Sequence, residues 1–199
     1  ADLLGTARPG GEWFCLSRPA LSLGRHNLAA AVLLGVIPVL ITGFLNGRSW
    51  RGLGLGGGRV VRGLVWLGVG IPTAVVLGKL SAVHPQVQAV YPLGGEVPAD
   101  LPGFARHALT QLPYYASWEI LFRGILLYGL SPRFGFAGAN AVQTTMSVLA
   151  HFGRPLSETL AALPAGLALG GVARHTGGVW YVIVIHYTAA MAQDWFLVH

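Results

Sequence analysis

Charge is what this chain has least of. Of its 199 residues 10% are Asp, Glu, Lys or Arg, the acids number seven, and a single lysine, Lys79, stands beside twelve arginines. A soluble domain of this length needs a more polar surface than these residues supply, which excludes a water-soluble globule. Cysteine is nearly absent as well: with Cys15 alone the chain can form neither an internal disulfide framework nor a cysteine-rich metal site. No long run of like charge occurs. The basic residues, which bring the net charge to +6, are spread over tails and short connections. That spread suits anionic lipid headgroups and argues against nucleic acid as a partner. What fills the chain is apolar, with 53% hydrophobic residues and a mean hydropathy of +0.59. The composition is that of an integral membrane protein.

A helix needs roughly 17 to 25 apolar residues to cross ~30 Å of hydrocarbon, and six runs meet or approach that length. They are Leu28 to Leu45, Gly63 to Gly78 (extendable to Val83), His107 to Leu130, Phe134 to Phe152, Thr159 to Ala173, and Gly178 to Val198. The predicted fold class is therefore all-α, a polytopic membrane protein with about six transmembrane helices in a compact bundle. Residues 1–26 read as an N-terminal tail. Residues 27–104 hold two scaffold helices and a polar loop, "HPQVQAVYPLGGEVPADLPGFAR", whose four prolines and two acids predict a surface connection. Residues 105–199 carry the remaining four helices, separated only by "SPR", "GRPLSE" and "RHTGG". Such short connections make neighbours antiparallel, so these four predict one bundle. Positive charge divides evenly between the two sides; the arginines at 48, 51, 59 and 62 favour a cytoplasmic loop after the first span.

Polar residues inside the spans fall into stripes. Gln111, Tyr115, Glu119 and Arg123 recur every four residues, on one face of the third span. Asn140, Gln143, Ser147 and His151 follow at spacings of three, four and four on the fourth. The last span offers His186 and Asp194, while Ala162, Gly166 and Gly170 give the fifth a small-residue seam that lets a neighbour approach closely. Each ionisable residue in lipid costs a few kcal/mol unless it faces the bundle interior. Antiparallel packing then brings Glu119, His151, Arg154, Glu158 and Asp194 towards one membrane face, with His186 beneath them. Two histidines and up to three carboxylates in a water-poor cavity suit general acid and base chemistry. A blander reading of the parts also stands: Glu119 and Arg123, four residues apart, fit a buried ion pair, Arg154 an interfacial anchor, and a lone membrane histidine a bundle hydrogen bond.

Three stretches carry a resemblance. "WEILFRG" (Trp118 to Gly124), "SVLAHFGRP" (Ser147 to Pro155) and "GLALGGVARHTGGVWYVIVIHYTAA" (Gly166 to Ala190) resemble the successive motifs of the CAAX-processing and bacteriocin-processing (CPBP, or Abi) family of intramembrane glutamic endopeptidases, the CAAX prenyl protease 2-like proteins. The likeness covers roughly residues 105 to 196. It implies a hydrolase in which a glutamate and a first histidine activate water, and a last histidine and its polar partner steady the oxyanion. By motif, Glu119 and Arg123 match the second Glu and the Arg of the family's Glu-Glu-x-x-x-Arg, and His151 and His186 match its two histidines. Trp118 stands where the first Glu would be, Ser147 where a Phe would be, and Ala190 where an Asn would be. A bacterial branch with Trp-Glu-x-x-x-Arg-Gly is similar in all three motifs; there Glu119 or Glu158 supplies the base and Asp194 the polar partner. The resemblance implies catalytic roles for Glu119, His151, His186, Arg123, Glu158 and Asp194, substrate contacts from Arg154 and Gln143, and a place in the bacterial cytoplasmic membrane. No cofactor is expected. The expected partners are membrane lipids and a membrane-associated peptide or protein substrate, prenylated or not.

Other classes stay open at this stage. A metal-dependent protease would take zinc on His151, His186 and Glu119, although no HExxH motif is present. An inactive relative serving as a scaffold or partner-binding module, or a proton or solute carrier, would use the same buried groups.

Overall fold

Glycine, proline and caps set where the apolar runs become helices. The structure, a computed structural model, describes residues 20–47, 49–93 and 97–199. The first nineteen residues of the expected tail, with Cys15, and Arg48 lie outside the described residues. Among those described, six long helices and no strand occur. Helix α1 spans residues 20–46, with a widened π-type stretch at Ala31–Val36, and α2 is Val60–Ala82. Helix α3 spans 101–134 and includes a second widened stretch, Ile120–Tyr128. Helix α4 follows at 136–149, α5 is Leu156–Thr176 and α6 is Trp180–Val198. Asp100 caps α3 by accepting from Gly103 N at 2.7 Å, with proline in the first turn, both start signals the chain can be read for.

The break between α3 and α4 lies at Gly135 rather than at the expected 131–133. Gly135 has φ 67° and ψ 171°, a conformation that side chains with a Cβ rarely take, whereas Pro132 fits within the preceding helical turns.

Three helices, Leu23–Phe44, Val60–Ala82 and Leu156–Thr176, are long and apolar enough to cross a membrane. The rest carry the polar stripes that lower their hydropathy. Polarity is arranged inside out: Phe44 is 94% exposed and Val61 77%, while Glu119 is 0% and Arg123 2% exposed. Water would oppose that arrangement and hydrocarbon favours it. The chain is an all-α membrane protein.

The most extensive helix contact joins α2 to α6. It was not expected, since α2 shows no polar stripe. Glycines at 63, 70 and 78 make it possible: a Cβ on Gly63 would enter the Tyr181 ring, one on Gly70 would sit 2.5 Å from Ile185, and one on Gly78 would sit 2.6 Å from the Ala189 carbonyl oxygen. The anticipated seam on α5 is present too. Gly166 faces Thr144 and Gly170 faces Asn140 and Gln143, which lets Asn140 Nδ2 donate to Leu167 O at 3.1 Å. Helix α1 is also tied in by polar groups. Asn27 Nδ2 donates to Gln111 Oε1 at 2.8 Å and to Thr110 O at 2.9 Å, so Gln111 of the α3 stripe belongs to the α1 contact.

The connection 47–59 closes one end of the bundle. Gly54 O accepts from Val179 N at 2.9 Å and Leu55 O from Trp180 Nε1 at 3.0 Å, beside an apolar cluster that includes Leu127, Val172, Val179 and Ile183. The longer connection, 84–100, lies at the opposite end and is not simply a polar surface loop: Val87 is fully buried there.

The α2–α6 seam generates a prediction about stability. Gly78→Val has to displace backbone and is expected to destabilise by about 1–3 kcal/mol, whereas Gly68→Val on the same helix, with nothing within 4 Å, is expected to leave the melting temperature nearly unchanged. Thermal unfolding of the two variants in detergent checks both.

Candidate active site

The stripes deliver their ionisable residues to three histidine–carboxylate pairs. At the centre is Glu119, on the last ordinary turn of α3 before its widened stretch. Glu119 Oε1 accepts from Arg123 Nη1 at 3.0 Å and from His186 Nδ1 at 2.5 Å. Glu119 and Arg123 are buried; His186, reaching across from α6, leaves 26% of its side chain open. A wholly buried carboxylate is tolerable only beside positive or hydrogen-bonding partners, and Oε1 has two. Oε2 of Glu119 and Nε of Arg123 have no hydrogen-bond partner among the described residues. Widened helical turns often accompany functional sites, and this one carries Arg123.

The second pair forms at the end of α4. His151 Nδ1 lies 2.7 Å from Ser147 O, and because a carbonyl only accepts, the proton is on Nδ1. Nε2 is thereby turned to Glu158 Oε1, 3.9 Å away in the first turn of α5. The turn joining the helices depends on Gly153 at φ 89°, and Thr159 Oγ1 donates to His151 O at 3.0 Å, which fixes the histidine's backbone against α5. Trp118 packs edge-on to the His151 ring at 5.2 Å between centroids and contacts Phe122 at 4.7 Å. Tyr115 stands edge-on to His186, also at 5.2 Å. Each imidazole thus has one aromatic ring of α3 packed against it.

The 84–100 connection reaches into this end through Tyr91. Its hydroxyl donates to Glu158 Oε2 at 2.7 Å and accepts from Arg154 Nη1 at 3.2 Å, and the guanidinium lies 5.7 Å from the ring centre. Burial, and then the Glu158 carboxylate beside it, push the Tyr91 phenol well above its ordinary pKa, so it remains a donor. Proline and acid counts made this loop read as surface; the residue that joins it to Glu158 and Arg154 is an aromatic, a signal the sequence offered without a partner to match.

The other candidates lie further out. Asp194 Oδ2 is 2.8 Å from His107 Nε2, with both side chains buried, so Asp194 is the partner of His107 rather than of His186. Gln143 Nε2 lies within hydrogen-bond reach of Asn140 Oδ1, Thr144 Oγ1 and Gly166 O at 2.7, 2.7 and 3.1 Å, which places its side chain in the α4–α5 contact. As to metal, no three His, Cys, Asp or Glu among the described residues come together to hold an ion. His186 and Glu119 are bonded to each other, and His151 Nδ1 faces a carbonyl, so the zinc set His151, His186 and Glu119 does not converge.

The Glu119–Arg123 pair yields an asymmetric prediction. Arg123→Met leaves a buried carboxylate with less compensation and is expected to destabilise by about 3–5 kcal/mol; Glu119→Gln keeps an oxygen for His186 Nδ1 and is expected to destabilise less. Melting temperatures of the two variants in one detergent decide the order.

No curated protein and no solved structure matches the chain. Residues 116–192, which hold Glu119, Arg123, His151, Glu158 and His186, match a family model described as type II CAAX prenyl endopeptidase, Rce1-like. Over these residues the chain is similar to a family of prenyl endopeptidases.

Proposed function

We propose that the chain is a multi-pass endopeptidase of the bacterial cytoplasmic membrane, of the branch marked by Trp118-Glu119. Its reaction hydrolyses a peptide bond of a membrane-associated protein or peptide, prenylated or not. The observation that carries this reading is the buried Glu119 Oε1, bonded at once to His186 Nδ1 and to Arg123. With Nδ1 turned to a carboxylate, Nε2 of His186 is the nitrogen left to take a proton from water. Glu119 orients the imidazole and steadies the imidazolium that forms, and Arg123 balances the carboxylate's charge.

The water oxygen then bonds to the scissile carbonyl carbon, and the carbonyl oxygen takes up the negative charge. Collapse of that intermediate breaks the C–N bond, and the departing nitrogen takes a proton from an imidazole. His151 serves on the second side: its fixed Nδ1–H leaves Nε2 for proton exchange, with Glu158 behind it. Asp194 acts at one remove, holding His107 in the wall of the same end of the bundle.

The test is cleavage of a quenched peptide library, with prenylated and unprenylated members, by purified protein in detergent. Glu119→Gln, His186→Gln and His151→Gln are each expected to lower kcat by about 10²–10⁴-fold, the range of a lost general acid or base. Asp194→Asn is expected to lower kcat by less than about tenfold while reducing the melting temperature, and a chelator to leave the rate unchanged. Absence of cleavage by the unaltered protein sinks the proposal and leaves a scaffold built on the same fold.

A further inference from the structure

Arg154 stands beside the His151–Glu158 pair without a carboxylate of its own among the described residues. Four carboxylates lie among the described residues. Asp100 caps α3, Glu119 holds His186 and Arg123, Asp194 holds His107, and Glu158 faces His151 and the Tyr91 hydroxyl. No described carboxylate forms an ion pair with Arg154. Glu158 reaches it only through the intervening Tyr91 oxygen.

The guanidinium is nonetheless fixed in place. The Tyr91 hydroxyl accepts from Nη1 and its ring centre lies 5.7 Å from the guanidinium carbon, with Tyr114 of α3 close by. Two neutral aromatics thus orient the charge without cancelling it. The backbone ties it to the reacting groups: Arg154 N donates to His151 O at 3.0 Å through the turn at Gly153. A half-buried, oriented guanidinium in no direct ion pair among the described residues is what a planar anion requires for two parallel hydrogen bonds.

We propose that Arg154 binds a carboxylate of the peptide substrate and so sets which bonds are cut. This rests on the endopeptidase reading and names the substrate chemistry for that site. The anion is a carboxylate of the peptide, either its C-terminus or an acidic side chain close to the scissile bond. A lipid phosphate is disfavoured because Arg154 is flanked by Tyr91, Tyr114 and Glu158, groups of the site's own interior end, rather than by the apolar outer faces of the helices.

The test compares four peptides sharing one cleavable sequence: free C-terminus or C-terminal amide, each with an internal Glu or Gln. For the unaltered protein, kcat/KM is expected to fall at least about tenfold when the preferred carboxylate is neutralised. Which neutralisation matters identifies the source. In Arg154→Gln that ratio is expected to collapse to about one, Arg154→Lys to keep part of it, and Tyr91→Phe, which frees the guanidinium but leaves its charge, to reduce it mainly through KM. Affinities of the same peptides for Glu119→Gln with and without Arg154→Gln give the answer independently of cleavage.

A preference retained by Arg154→Gln, or no preference in the unaltered protein in either assay, overturns the inference while leaving proteolysis intact. A binding preference lost with Arg154, in a protein that cleaves nothing, upholds the inference and overturns the proposed reaction. If Arg154→Gln changes only binding to vesicles containing anionic phospholipid, the residue is a lipid anchor and the inference falls.

Discussion

A carboxylate with no exposed surface has to be matched where it is buried, and Glu119 is such a carboxylate. Its match is the pair formed by Arg123, one turn further along the same helix, and His186, from the far end of the chain's sequence. The first partner is local and follows from a four-residue spacing. The second demands that α6 lie against α3 at one register, because a hydrogen bond of 2.5 Å tolerates little sliding. Much of the bundle can be understood as the means of holding that register.

Small residues do most of this holding. Glycines at 63, 70 and 78 let α2 lie close along α6, which presses α6 from behind while His186 reaches forward. On the other flank, Gly166 and Gly170 bring α5 against Asn140, Gln143 and Thr144 of α4. Lipid supplies no hydrophobic drive between helices, so close backbone approach and buried polar bonds are the natural adhesives. The same contact carries Glu158 to the end of α4, where His151 waits on its turn. Packing and chemistry are thus joined through α5.

What could be read from the chain itself follows from this division. Periodicity exposed Glu119 and Arg123 on one face, His151 at the end of its stripe, and the α5 seam, since each is a relation within one helix. Relations between helices were harder. Asp194 was read with His186, eight residues away, but its partner His107 lies 87 residues away, and nothing in the spacing of either marks the pair. Gln143 looked like part of a site because a polar stripe does not say which neighbour it faces; it meets α5, as Gln111 of the α3 stripe meets Asn27 of α1. The α2 glycines gave no warning either, as glycine is common throughout an apolar chain with 29 of them. The loop at 84–100 is polar and largely exposed as read, while its anchorage through Val87 and Tyr91 is not marked by its composition.

Trp118 shows how these levels constrain one another. An indole next to Glu119 fills the volume where the family motif places a second carboxylate, and it presents its ring edge to His151. A carboxylate there would have stood beside His151; an indole cannot accept its proton or balance its charge. The carboxylate facing His151 comes instead from α5, through Glu158, and α5 can deliver it only because Gly153 turns the chain sharply and Gly166 and Gly170 admit the helix. The aromatic on α3 and the acid in the first turn of α5 thus meet the same histidine. Each imidazole, His186 and His151, has one carboxylate partner, and Tyr91 bonds to the second of these carboxylates.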